Sequence, residues 1–242
     1  MKIAVAQIKP VKADILENIK KHKILIELAA NANASAIFFP ELSITGYEPE
    51  LAASLATTQD DKIFESFQEI SNSKAIVIGV GMPTIAFDGI QISMIIFQPQ
   101  QIPQTYSKQI LHTDEFPYFI KGNSQTILSV DNLRLAPAIC YESLQAEHAD
   151  NASAIGANIY IAIVAKSQKG IEKAYNHYPY IAQKYSMPVL LSNSVGPCDN
   201  YISAGRSAVW TKRGELAGSL DAVSEGIIIF DTDTEEVSKV IL

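Results

Sequence analysis

Apolar positions along the chain alternate between short dense runs and longer stretches with helical spacing. The run Ile3 to Ile8 is rich in Ile, Val and Ala and predicts a strand. From Asp14 to Ala32, Ile15, Ile19, Leu25 and Leu28 recur on one helical face, with Asp14 at the N-cap and Glu17 where a capping box places its acid. Ala36 to Phe39 predicts a short buried strand stopped by Pro40. The spacing predicts a helix over Asp60 to Ser71, then strands over Ala75 to Val80 and Gln91 to Phe97 with a turn near Asp88-Gly89. Thr126 to Val130 and Leu133 to Ile139 predict a hairpin turning at Asp131-Asn132. A helix over Glu142 to Ile155, a strand over Asn158 to Val164, a helix over Gly170 to Tyr185 and a strand from Pro188 to Ser192 follow. Ala204 to Phe230 is mostly strand and turn. Strands outnumber helices in βαβ and hairpin mixtures, so the expected class is α/β with one mixed sheet or two sheets.

Nothing in this pattern marks a linker or an internal repeat, and a single domain over residues 1–242 is expected. Apolar residues make up 48%, which excludes a disordered or fibrous chain. Charged residues are 19%, below the roughly 25% usual for soluble domains, which points to a large interior or to surface covered by a partner. The net charge is −7, so general nucleic-acid binding, which needs a basic face, is not expected. The start MKIAVAQIKP lacks signal-peptide form, and no apolar stretch has the length of about 18 residues that a membrane helix needs. Two cysteines, Cys140 and Cys198, allow at most one bridge; a reducing, cytoplasmic setting is the expectation.

Common sites are missing. The chain has no P-loop, no G-x-S-x-G elbow, no C-x-x-C and no H-x-x-x-H. Gly79-Val80-Gly81 opens a G-x-G pattern, but Thr84 stands where a third glycine belongs, and the pair reads as a turn. Chemistry concentrates instead at three strand ends. Glu41 follows Ile37-Phe38-Phe39-Pro40, Lys108 follows Thr105-Tyr106-Ser107, and Cys140 follows Leu135 to Ile139. Ligands of α/β folds gather at the carboxyl ends of strands, so the three groups are candidates for one crevice. Cys140 is also expected near a helix N-terminus, where the dipole favours thiolate.

These segments carry a resemblance. FFPELSITGY (Phe38 to Tyr47), YSKQILHTDEFPYFIKG (Tyr106 to Gly122) and LAPAICYES (Leu135 to Ser143) resemble the glutamate, lysine and cysteine blocks of the nitrilase superfamily of carbon–nitrogen hydrolases. The start KIAVAQI fits as well, and the likeness covers nearly the whole length. It implies a four-layer αββα sandwich, with two sheets face to face and helices outside. It also implies a Glu41-Lys108-Cys140 triad, Glu115 as a supporting acid, and assembly as a homodimer or larger homo-oligomer. The implied activity is hydrolysis of a non-peptide C–N bond in a small linear amide through a cysteine thioester, with no metal or organic cofactor. Hydrolysis of carbamoyl amines, ureido compounds or nitriles on the same triad is the alternative, and a catalytically silent small-molecule binder is an alternative of another class.

Further residues take expected roles beside the triad. The Tyr141 N–H joins Lys108 as an oxyanion donor, and Glu142 braces the site or caps a helix. Tyr47, Lys166 and His177 are the substrate-binding candidates, Lys166 toward a substrate carboxylate. Cys198 is expected to stand aside, on a loop that could reach the pocket rim. Two departures from the family pattern bear on substrate: Ser143 to Glu147 lacks the Arg and Pro common after the cysteine, and the next strand ends Val164-Ala165-Lys166-Ser167 rather than in an Asn-Pro-Ser-like segment. Thr45-Gly46-Tyr47 is also similar to glutamine-using amidase domains.

Overall fold

The computed structural model describes residues 1–242. Strand β1 (Lys2–Gln7) leads to helix α1 (Ile15–Asn31) and strand β2 (Ala36–Phe38). A short helix α2 (Ala52–Leu55) and helix α3 (Glu65–Lys74) precede the β3–β4 hairpin (Val77–Ala86, Gly89–Phe97) and β5 (Gln104–Ser107). The second half runs β6 (Leu128–Val130), β7 (Leu133–Ile139), α4 (Ala146–Ala154), β8 (Ile159–Val164), α5 (Gln168–Tyr185) and β9 (Val189–Asn193). It closes with β10 (Val195–Cys198), β11 (Tyr201–Ala204), β12 (Ala208–Trp210), β13 (Leu216–Ser219), β14 (Gly226–Asp231) and β15 (Val237–Ile241). Both cysteines are free.

Two sheets form. One is ordered β15-β14-β1-β2-β3-β4-β5, the other β13-β12-β9-β8-β7-β6, and β10 pairs only with β11. Side chains alternate between faces along a strand, so each apolar run feeds two cores. Ile3 and Val5 point between the sheets, where Phe38, Met94 and Ile96 meet Leu135, Ile161 and Ile163. Ala4 and Ala6 point outward, with Ile37 and Phe39, onto Leu25, Ile26 and Ala29 of α1 and Phe67 of α3. On the far side Ala136, Ala138 and Ala162 meet Ala149 and Ala152 of α4 and Ile171, Ala174 and Ile181 of α5. Small alanines on the outward faces let the helices pack close. The result is the four-layer αββα sandwich.

Most predicted elements stand where the periodicity put them; the exceptions have local causes. The cap of α1 is one-sided: Asp14 accepts from the Glu17 N–H at 3.0 Å, but the Glu17 carboxylate turns to Lys20. The predicted helix from Glu142 breaks in two. Glu142–Leu144 is a single 3₁₀ turn, Gln145 is extended, and α4 begins only at Ala146. The helix that follows Cys140 in sequence therefore begins only at Ala146. Gly79 and Gly81 lie inside the ten-residue β3 rather than in a turn.

Candidate active site

The strand-end residues converge across the seam between the sheets. Glu41 follows β2, next to Leu42 in the left-handed region with φ 49°. This crossing is possible because β3 carries glycine beneath it: a Cβ on Gly81 would sit 2.3 Å from both Pro40 O and Leu42 N. The Gly81 N–H donates to Ser43 Oγ at 3.3 Å, and the Ser43 hydroxyl donates to Nε2 of buried His22 at 2.9 Å. His22 Nδ1–H donates to Asn18 O at 2.6 Å, and burial drives the ring pKa down to about 3, so it stays neutral. Gly81→Ala is expected to lower stability by about 1–3 kcal/mol, because the clash is with backbone. It should also lower activity, because Glu41 moves with that backbone. Thermal melting and turnover check it; unchanged values in both would show that the crossing tolerates a methyl group.

Lys108, fully buried, follows β5. Its backbone is fixed on both sides, by its N–H to Ile92 O at 2.8 Å and by Gly122 N–H to its carbonyl at 2.7 Å. Its Nζ donates to Glu41 Oε1 at 2.8 Å and to Glu115 Oε1 at 2.6 Å. Glu115 is held in turn by the Tyr47 hydroxyl at 3.0 Å and the His112 N–H at 2.8 Å. Burial works against the Lys108 ammonium, but Glu41, Cys140 and Glu115 outweigh it and hold its pKa above the ordinary lysine range. Burial also raises Glu41, with Lys108 pulling it back. The second oxygen, Glu41 Oε2, is sealed and has no hydrogen-bond partner. It is the one open acceptor of the cluster.

Cys140 follows β7 with φ 51°, in a conformation that non-glycine residues rarely adopt and that often marks a working site. Its N–H donates to Ile163 O of β8 at 2.9 Å, while the Tyr141 N–H meets no backbone carbonyl. Glu142 holds the bend. Its Oε1 accepts from the Ile139 N–H at 2.7 Å and the Tyr106 hydroxyl at 2.6 Å, and its Oε2 accepts from the Gln109 N–H at 2.6 Å. One carboxylate thus ties the cysteine bend of one sheet to the lysine segment of the other. Neutral His148 extends the tie: burial lowers its pKa to about 4, Nε2–H donates to Tyr106 Oη at 2.9 Å, and Nδ1 accepts from Tyr160 at 2.7 Å. Burial pushes the Cys140 thiol up to about 11, Glu41 adds to this, and Lys166 and Lys108 oppose it. Among the charges acting on this thiol, the two lysines favour the thiolate.

Cys140 opens onto a cavity of about 550 Å³ lined by Tyr47, Glu115, Lys166 and Tyr201, with His112 and Tyr118 toward the mouth. The full-length match is decisive: residues 2–241 fit the carbon-nitrogen hydrolase family model. The chain belongs to the carbon–nitrogen hydrolase family. The hydrolase is similar to the glutamine-dependent NAD(+) synthetase of Aquifex aeolicus, 24% identical over 99% of this chain and 43% of that protein. It spans less than half of that relative's length. It is also 24% identical to a probable nitrilase of Schizosaccharomyces pombe, over 97% of this chain and 89% of the relative. Among solved structures, the amidase of Nesterenkonia sp. AN1 shares its fold with a TM-score of 0.86 at 21% identity, covering 96% of this chain and 92% of the amidase. A form of that amidase carries the acetamide moiety of fluoroacetamide on its active-site cysteine (TM-score 0.85, 21% identity, 95% and 89% covered).

Within the hydrolase, Glu41, Lys108, Glu115, Cys140, Tyr141 and Glu142 come together, and Tyr47 and Lys166 line the cavity. His177 does not. It lies on α5, outside the lining, with its ring edge-on to Tyr178 at 6.0 Å. The Cys198 loop reaches the rim through Asp199, Asn200 and Tyr201, while Cys198 itself is buried against Ser203 at 3.2 Å. Sequence reasoning missed Asn193. Its side chain clamps Lys166, accepting from the Lys166 N–H at 2.8 Å and donating to the Lys166 carbonyl at 3.2 Å. A polar residue closing a buried strand was its only signal.

Proposed function

We propose that the protein is an amidase that hydrolyses a small linear amide through a Cys140 thioester. The observation that carries this is the buried Glu41–Lys108–Glu115 chain behind a cysteine that faces a cavity of about 550 Å³. Glu41 takes the thiol proton on its open Oε2, and the sulfur attacks the amide carbon. The tetrahedral oxyanion meets the free Tyr141 N–H and the remaining proton of Lys108; one such donor is typically worth about 10²–10³ in rate. Glu41 then gives its proton to the departing nitrogen, releasing ammonia or an amine. It next takes a proton from water, whose oxygen attacks the thioester and frees the acid. Tyr47 orients Glu115 while its ring lines the substrate space. A homodimer or larger homo-oligomer is part of this proposal, read by light scattering.

An ammonia-release screen over small aliphatic amides, glutamine, carbamoyl amines and nitriles tests it. Glutamine is included because the matched synthetases are glutamine-dependent. Release from at least one linear amide is expected, and it should vanish in Cys140→Ala. Release only from carbamoyl compounds or nitriles would replace the amidase reading with one of those. Cavity binding without any turnover would leave a silent binder.

A further inference from the structure

We propose that Lys166 is a second cation of the catalytic centre, the partner that holds the Cys140 thiolate while its proton passes to Glu41. The proposal rests on the amidase reading only in taking Cys140 as the nucleophile. Lys166 follows β8, the parallel neighbour of β7, and the register Ile139 to Ile163 brings the two strand ends side by side. Its Nζ lies 3.6 Å from Cys140 Sγ and 3.4 Å from the Cys140 carbonyl, and it pairs with no carboxylate. The residue is only 6% exposed. A buried ammonium with three protons and two long contacts, both on one cysteine, has room for a stronger acceptor, and a thiolate at the same sulfur is one.

The position is built. Asn193 grips the Lys166 backbone from both sides, and the Ala204 N–H adds a bond to its carbonyl at 2.9 Å. The aliphatic stem lies over Gly170, where an added Cβ would stand 3.2 Å from Lys166 Cβ. Charge supports the assignment too. Lys108 directs two of its three protons at Glu41 and Glu115, leaving one for the oxyanion. Lys166 gives the sulfur its own counterion, and two ammoniums then balance two carboxylates. In the step itself the S–H bond breaks, the proton goes to Glu41 Oε2, and the electron pair stays on sulfur beside Lys166 until the C–S bond forms. The charges of Glu41, Lys108, Glu115 and Lys166 act on the sulfur, the phenols of Tyr47, Tyr178 and Tyr201 lie within reach of its charge, and the Lys166 charge also reaches His177 from outside the cavity lining.

The test is the rate of Cys140 alkylation by iodoacetamide against pH, resolved by peptide mass spectrometry, in wild type, Lys166→Arg and Lys166→Met, with folding followed by circular dichroism. Loss of the cation raises the thiol pKa and reduces thiolate. Lys166→Met should therefore slow alkylation near neutral pH by about tenfold or more and move the pH midpoint up by about one unit or more. Lys166→Arg, which keeps the charge, should stay within about threefold of wild type. If methionine prevents folding, Lys166→Gln takes its place with the same expected result. A neutral variant that folds and alkylates with the wild-type rate and midpoint overturns the proposal, as does an arginine variant as slow as the methionine one. A neutral variant that alkylates normally but raises KM only for carboxylate-bearing amides would assign Lys166 to substrate anchoring instead. Iodoacetamide is uncharged and needs no amide turnover, so Lys166-dependent alkylation without turnover would refute the amidase reading alone.

Discussion

Cys140→Ala is expected to remove turnover almost completely, with a loss on the order of 10⁶ in kcat, because the sulfur that would form the acyl bond is gone. The fold should survive. Alanine meets the same left-handed backbone cost that cysteine meets at φ 51°, and Glu142 keeps its hold on the Ile139 N–H. Glu41→Gln separates the nucleophile from its base. The thiol remains, Gln retains an oxygen for Lys108, and proton transfer is lost in both halves of the reaction. General-base catalysis is typically worth about 10²–10⁴, so a loss of at least that size is expected. Steady-state kinetics and melting curves of both variants check this. Turnover persisting in a Cys140→Ala preparation free of wild-type protein would end the covalent mechanism.

Lys108→Met should damage stability as well as rate. It leaves Glu41 and Glu115, both nearly without solvent contact, with no ammonium between them. Removing one partner of a buried ion pair typically costs about 3–5 kcal/mol. The sign of its pH dependence follows from Glu41. Burial already raises that carboxyl, and Lys108 is what restrains it. Without Lys108 the folded-state pKa climbs further above the unfolded value of roughly 4.3, so the folded variant holds a proton that the unfolded chain gives up. Stability is then best at and below the ordinary carboxylate range and falls as pH rises toward the raised value. Denaturant titrations of variant and wild type at pH 5 and pH 8 should show a smaller deficit at pH 5. Equal deficits would mean that Glu41 does not depend on Lys108 for its charge.

The proposed trio of Glu41, Lys108 and Cys140 was legible because each residue follows a segment patterned as a strand, and strand ends are where ligands of α/β folds gather. Spacing could not say that the ends meet; the block resemblance supplied that. What periodicity could not see were side chains that turn back on the backbone. Helical spacing continues through Glu142 to Ile155, yet the Glu142 carboxylate is drawn to the Ile139 and Gln109 N–H groups, and the chain breaks at Gln145. Gly79-Val80-Gly81 looked like a turn because glycine in a strand is costly. Here the missing side chain of Gly81 leaves space for Pro40 to Leu42 and that of Gly79 for the Phe38 ring and Met94, needs set by segments distant along the chain. His177 failed for a similar reason, since the face a helical residue presents is decided by packing that spacing alone does not contain.

The Glu142 tie has one more consequence. Glu41 and Lys108 ride on one sheet and Cys140 and Lys166 on the other, and the Glu142 bonds to Tyr106 and Gln109 tie the two layers beside the sulfur. A slip of one layer past the other by an ångström or so would open the sulfur-to-carboxylate gap while leaving every strand ladder intact. Catalysis in mild denaturant should therefore fade before the far-ultraviolet signal does, making enzymatic rate a gauge of interlayer shear.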